Sequence, residues 1–143
     1  MLRPQILPVC FLSLFFLLYC ASGTFPAEVR KDCRICGMWI DQYMHTRHVL
    51  TEADGAQVSF CSFTCAAKHL KQPGVTAKQV QVADYLTKQL VDVKDALYLV
   101  GSDAPPVMSY TSIIAFVRRD AAEDFQKLHG GEIMSFAEAL IRQ

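Results

Sequence analysis

Residues Ile6 to Ala21 form an almost wholly apolar run, interrupted by Pro8 and Ser13 and preceded by Arg3. This run divides the 143-residue chain and sets the conditions under which the rest must fold. A comfortable membrane span needs about 20 apolar residues, so the run is short for one. It matches the apolar core of a secretory signal, with Arg3 as the positive start and Ala21-Ser22-Gly23 as the small-residue cleavage region before Thr24. A lipoprotein signal is the second version, with Leu17-Leu18-Tyr19-Cys20 as the lipobox and Cys20 acylated, although Tyr19 is bulky where a small residue is wanted. A short uncleaved anchor is the third. Each version places the folded part outside the cytosol, in the periplasm or cell envelope. A lipid on Cys20 would be the only tie to the membrane. The expected organisation is a signal or lipoprotein signal at 1–23, a tether at 24–32 and a folded unit at 33–143.

Charge narrows the partners. The chain carries 14 basic and 14 acidic side chains. The leader holds only Arg3 among them, which leaves the body at −1, with 13 basic against 14 acidic groups. Such a balance gives no electrostatic reason to bind nucleic acid or an anionic membrane.

The folded unit reads as α+β, in two small ββα-type lobes. In lobe one, at about 33–74, short strands are expected at Met38–Ile40 and His48–Glu52. Asp54-Gly55 then makes a hairpin turn and Val58–Cys61 a returning strand. Ser62 caps a short helix that runs to Lys71 and stops before Pro73-Gly74. In lobe two, at about 75–143, the alternation of Gln79–Tyr85 and the apolar runs Ala96–Val100 and Ile113–Val117 read as strands. Ala121, Ala122, Phe125 and Leu128 share one face of a helix over Asp120–Leu128. Ser135 and Glu138 form a capping box for a last helix ending near Arg142.

Four cysteines lie outside the leader: Cys33, Cys36, Cys61 and Cys65. In an exported chain two disulfides are the simplest reading, and four cysteines allow three pairings. The spacing C-x2-C…C-x3-C also suits structural zinc. The residues around the first pair add a third possibility. Cys33-Arg34-Ile35-Cys36-Gly37-Met38 places a thioether two residues after a thiol in a glycine turn. Thiolate and thioether together select Cu(I) over hard ions. Dithiol redox catalysis is disfavoured because Gly37 and a strand follow the pair, where a redox site needs a helix N-terminus. Met108, in the Pro105-Pro106 loop, is a further soft-ligand candidate, since loops carry sites more often than cores do. Met44, His45 and His48 are weaker candidates, the two imidazoles being expected at the surface, as is His69. No Ser-His-Asp order, phosphate loop or carboxylate pair argues for an enzyme.

The segments CRICGMWI, VSFCSFTCAA, VADYLTKQLVDVKDALYLVGS and AFVRRDAAEDFQKLHGGEIMSFAEAL, in that order, resemble the NosL family of nitrous oxide reductase accessory proteins. The resemblance covers about residues 33–140. It implies a Cu(I)-binding metallochaperone, usually an envelope lipoprotein, that supplies copper for the copper–sulfide cluster of nitrous oxide reductase. The implied partner is that enzyme or its membrane-bound maturation machinery. By motif, Cys36 and Met108 carry over as ligands, and Cys33 and Met38 complete the expected set. Cys36, Cys61 and Cys65 also fall in the order seen in small TRASH metal-sensing modules. The alternative from another class is an extracytoplasmic interaction protein held by zinc or by disulfides.

Overall fold

The computed structural model describes residues 31–143; the expected signal at 1–23 and residues 24–30 of the tether lie outside the described residues. The described chain is α+β, with two antiparallel sheets and three helices.

The first sheet grows from a hairpin. Strands β1 (His48–Glu52) and β2 (Gln57–Phe60) are joined where Gly55 takes φ +92° and Asp54 Oδ1 accepts the Ala56 N–H at 2.9 Å. Strand β3 (Ala77–Ala83) pairs with the other edge of β1, so Leu50 faces Val58 on one side and Val80 on the other. Strand β4 (Leu90–Asp92) completes the order β2-β1-β3-β4. Helix α1 (Phe63–Leu70) begins at Ser62, whose hydroxyl accepts the Cys65 N–H at 3.4 Å.

The second sheet has the order β6-β5-β7, from β5 (Leu97–Val100), β6 (Ile113–Phe116) and β7 (Glu132–Met134). Helix α2 (Arg119–His129) connects β6 to β7, and α3 (Phe136–Ile141) closes the chain on the capping box of Ser135 and Glu138. The near-continuous apolar character of β5 and β6 has a structural cause: both faces of this sheet are covered. Tyr98, Ile113 and Ala115 enter a core shared with Phe63, Val82 and Ala139. Leu99, Ile114 and Phe116 enter a second core with Ala122.

Two of the sequence expectations change. Met38–Ile40 forms no strand: Trp39 makes one isolated bridge to Asp32, and a 3-10 turn follows at Ile40–Tyr43. The strand expected to open lobe two, β3, is instead hydrogen-bonded into the sheet of lobe one. Alternation marks such a strand but carries no information about its neighbour. Leu90–Asp92, outside the strands expected from the sequence, pairs with β3 as an edge strand.

Two buried polar groups tie the sheets together. Asp84, at the end of β3, accepts from Leu86 N, Thr87 N and Thr87 Oγ1 with one oxygen and from Val117 N, just beyond β6, with the other. Burial alone would raise its carboxyl, but these donors outweigh burial and hold it below its ordinary 3.8. His48, on β1, is buried against Tyr98 on β5, with Nε2 3.1 Å from the phenol oxygen and Nδ1 3.0 Å from the Thr46 carbonyl. The consistent tautomer donates from Nδ1 to Thr46 and accepts the Tyr98 hydroxyl at Nε2. Burial lowers its pKa to about 4.

Candidate metal centre

The Cys33–Met38 segment is a closed knuckle. Cys33 N–H donates to the Met38 carbonyl at 2.8 Å, and Gly37 N–H donates back to the Cys33 carbonyl at 2.9 Å. The return requires φ +74° at Gly37, a region open to glycine at little cost. One further bond places the knuckle: Arg34 N–H donates to the Ser59 carbonyl on β2 at 3.1 Å. Ser59 lies two residues before Cys61, so this anchor brings the first thiol pair onto the second.

Cys61 and Cys65 meet for a helical reason. Cys61 precedes the cap Ser62 and Cys65 lies in the first turn of α1. Their sulfurs are 3.8 Å apart, and Cys36 Sγ lies 3.4 Å from Cys61 Sγ. All four sulfurs of Cys33, Cys36, Cys61 and Cys65 fall within 4.8 Å of one another. A disulfide requires about 2.05 Å, so these are four separate thiols, not two bridges. Cys33, Cys61 and Cys65 are buried, and only Cys36 is partly open to solvent. Leu50, Val58, Phe60 and Ile40 surround them with apolar side chains.

This crowding sorts the protons. The hydrogen bond from Cys61 to Cys65, reinforced by burial, pushes the Cys61 thiol up. The same bond lowers Cys65 to about 5, against burial. Its place in the first turn of α1 favours the same charge, because helix N-termini stabilise thiolates. Cys36 is raised, chiefly by burial. Without metal the charge therefore settles on Cys65 while Cys61 and Cys36 keep their protons, and a thiophilic cation bound by them must displace those protons. The donor set and its spacing fit one soft or borderline metal ion.

The NosL family model matches residues 25–141, which takes in the whole cluster and both sheets. The chain belongs to the NosL family. Its fold is similar to that of the copper chaperone NosL from Shewanella denitrificans in a crystal structure, with a TM-score of 0.63 and 22% identity over 80% of this chain and 94% of that one. It is also similar to apo-NosL from Achromobacter cycloclastes in a solution NMR structure, with a TM-score of 0.50 and 19% identity over 64% of this chain and 82% of that one. At these identities the likeness is one of fold. No curated protein gives a significant sequence match.

Within this NosL fold the expected ligands are placed unequally. Cys33 and Cys36 join the cluster directly. Met38 is half-buried and packs against it. Met108 is 41% exposed, in the loop after β5, with φ +58°. That loop is held at its base by Gly101 N–H on the Ser112 carbonyl and by Ser102 Oγ 3.1 Å from Ser112 Oγ. Val107, beside Met108, packs against the same apolar group as the thiols. His48, expected at the surface, is buried between the sheets, and His69 is buried with Nε2 3.1 Å from Glu52 Oε1. A strand register and a helix face decide both burials, and neither imidazole belongs to the thiol cluster. Sequence reasoning left the role of Cys61 and Cys65 open. The C-x3-C spacing straddling a Ser cap was the available signal that both would meet at one helix end.

Proposed function

We propose that this NosL-family chain is a copper(I) metallochaperone of the cell envelope, in which Cu(I) is the cargo and the thiol cluster its carrier. The observation that carries this reading is the convergence of four reduced thiols, three buried and one, Cys36, partly exposed. Buried thiolates supply the soft donors that favour Cu(I). The partly exposed sulfur supplies the route by which an acceptor's own soft ligand replaces it, so the ion passes by ligand exchange and is never free. Cys33, Cys36, Met38 and Met108 are the ligands proposed from the sequence, and Cys61 and Cys65 join them from the geometry. The proposed acceptor is nitrous oxide reductase, or its membrane-bound maturation machinery, during assembly of the copper–sulfide cluster. The proposed export signal at 1–23, with or without acylation at Cys20, brings the chain to that compartment. Among the described residues no helix is long and apolar enough to cross a membrane. No enzymatic step is assigned.

A zinc-held interaction protein is the second reading, favoured by the same four sulfurs, since four cysteine thiolates are a common structural zinc set. Structural zinc sites are closed by four protein ligands, which these sulfurs could supply; the Met38 thioether packed against the cluster is the feature that favours copper. Competition with a Cu(I)-selective chromophoric chelator, on protein purified reduced, separates the two. Near-stoichiometric Cu(I), with most affinity lost in Cys36→Ala, is the expected result. Unchanged copper affinity in that variant, or stoichiometric zinc that copper does not displace, would overturn the carrier reading.

A further inference from the structure

We propose that the cluster is a redox-gated site, in which metal-free protein closes a Cys36–Cys61 disulfide and a dithiol reductant must reopen it before copper loads. The purpose of the gate rests on the carrier reading, while its chemistry rests on the geometry alone.

Access singles out Cys36, and distance favours Cys61 as its partner. Cys33 is 1% exposed and Cys61 and Cys65 are 0% exposed, so a disulfide oxidant meets Cys36 first. The Cys36 sulfur lies 3.4 Å from that of Cys61, closer than the 3.8 Å between Cys61 and Cys65. Closure requires that 3.4 Å to shorten to about 2.05 Å. Cys36 lies in a turn outside any helix or strand, and so has the freedom to make the approach. Cys65 is fixed in the first turn of α1.

The chemistry balances as two exchanges. Cys36 loses its thiol proton and its sulfur attacks a small-molecule disulfide, RS–SR, forming a mixed disulfide while the departing thiol takes up the proton as RSH. Cys61, passing its proton along its hydrogen bond to the Cys65 thiolate, then attacks Cys36 sulfur, and the second thiol leaves and takes up that proton as RSH. Two thiols are oxidised, one external disulfide is reduced, and the two protons end on the departing thiols. The reverse reaction takes both electrons from a protein dithiol, which becomes a disulfide. Oxidation removes two of the four thiol donors, including the partly exposed one. A bound Cu(I) occupies the same sulfurs and blocks the attack. In an oxidising compartment this makes reduction an obligatory step before loading, and it assigns the protein a partner class: a thiol–disulfide oxidoreductase that delivers electrons.

The test exposes reduced, metal-free protein to glutathione disulfide, followed by tryptic mapping under non-reducing conditions. Cleavage after Arg34 separates the first two cysteines, so Ile35–Arg47 carries Cys36 alone and His48–Lys68 carries Cys61 and Cys65. Fragmentation between positions 61 and 65 then locates the link. The expected result is a Cys36–Cys61 bridge, loss of Cu(I) uptake that dithiothreitol restores, and no bridge in copper-loaded protein. A dominant Cys33–Cys36 or Cys61–Cys65 link, or undiminished copper uptake after oxidation, would overturn the gate while leaving the carrier reading intact. Reduced protein that takes up no Cu(I) would overturn the carrier reading itself, and the gate's purpose with it.

Discussion

Acid should loosen this protein in part through His48, and the size of that part follows from its burial. The imidazole is 1% exposed, and its pKa is lowered from 6.5 to about 4. In the unfolded chain it titrates near 6.5. Between those two values the unfolded state binds the proton and the folded state does not. Stability therefore falls as pH falls through this window, and the contribution is fully present above 6.5. The full difference corresponds to about 3 kcal/mol, of which about 2 kcal/mol is already lost at pH 5. The informative perturbation is His48→Gln, which keeps a polar side chain near Tyr98 and cannot titrate. Reduced, metal-free wild type and variant should be unfolded by urea at pH 7 and at pH 5. Other titrations, including that of Cys65, occur in both proteins and cancel in the comparison. The variant should be less stable at pH 7, since it fits the pocket less well, yet lose about 2 kcal/mol less than wild type on acidification. An equal loss in both proteins would refute the assignment of a neutral, buried His48 bridging the sheets.

Asp84→Asn places an amide where Val117 N–H needs an acceptor, and should cost about 2 kcal/mol in urea unfolding. In wild type the same carboxylate contributes stability that is present above pH 3.8 and lost as pH falls through its lower folded value, a loss the variant should not show. Gly131→Ala should be severe, about 3 kcal/mol or more, because its Cβ would lie 2.9 Å from Ser102 N and Val100 O at φ +96°; a melting temperature near wild type would contradict this packing. Gly37→Ala meets no atom within 4 Å, so its cost is only the left-handed backbone at φ +74°. That strain, about 1–2 kcal/mol, should lower the melting temperature by several degrees, and an unchanged melting temperature in calorimetry would contradict the closed knuckle. Met108→Leu, nearly volume-conserving, should keep the fold and reduce Cu(I) affinity; an unaltered copper first shell by X-ray absorption would remove Met108 from the ligand set.

Much of the local structure was legible because its causes are local. The Asp54-Gly55 turn, the Ser62 cap and the Ser135–Glu138 capping box each depend on a few adjacent residues, and each formed where the sequence indicated. The apolar runs at β5 and β6 announced burial correctly, since a strand covered on both faces has no solvent side on which to place polar residues. The Cys-x-x-Cys-Gly-Met knuckle and the family that it marks were legible for the same reason: a closed turn needs its glycine, and a soft site needs its sulfurs.

What remained hidden was every question of neighbourhood. Alternation identifies β3 as a strand but cannot say that it pairs with β1, because hydrogen bonding between backbones leaves no mark on side-chain order. His48 and His69 look alike in sequence to surface histidines; only the register of β1 and the packing of α1 against the sheet bury them. The cysteines make the point most directly. Sequence spacing is equally compatible with two disulfides, zinc or a copper site. The bond from Arg34 N–H to the Ser59 carbonyl, the Ser62 cap at the start of α1 and the packing of the knuckle on Leu50, Val58 and Phe60 together bring four thiols within 4.8 Å. The sequence by itself determined which atoms could bind a soft metal; tertiary structure alone decided that they meet, because contacts between residues far apart in the chain depend on how sheets and helices pack and not on any local preference of the chain.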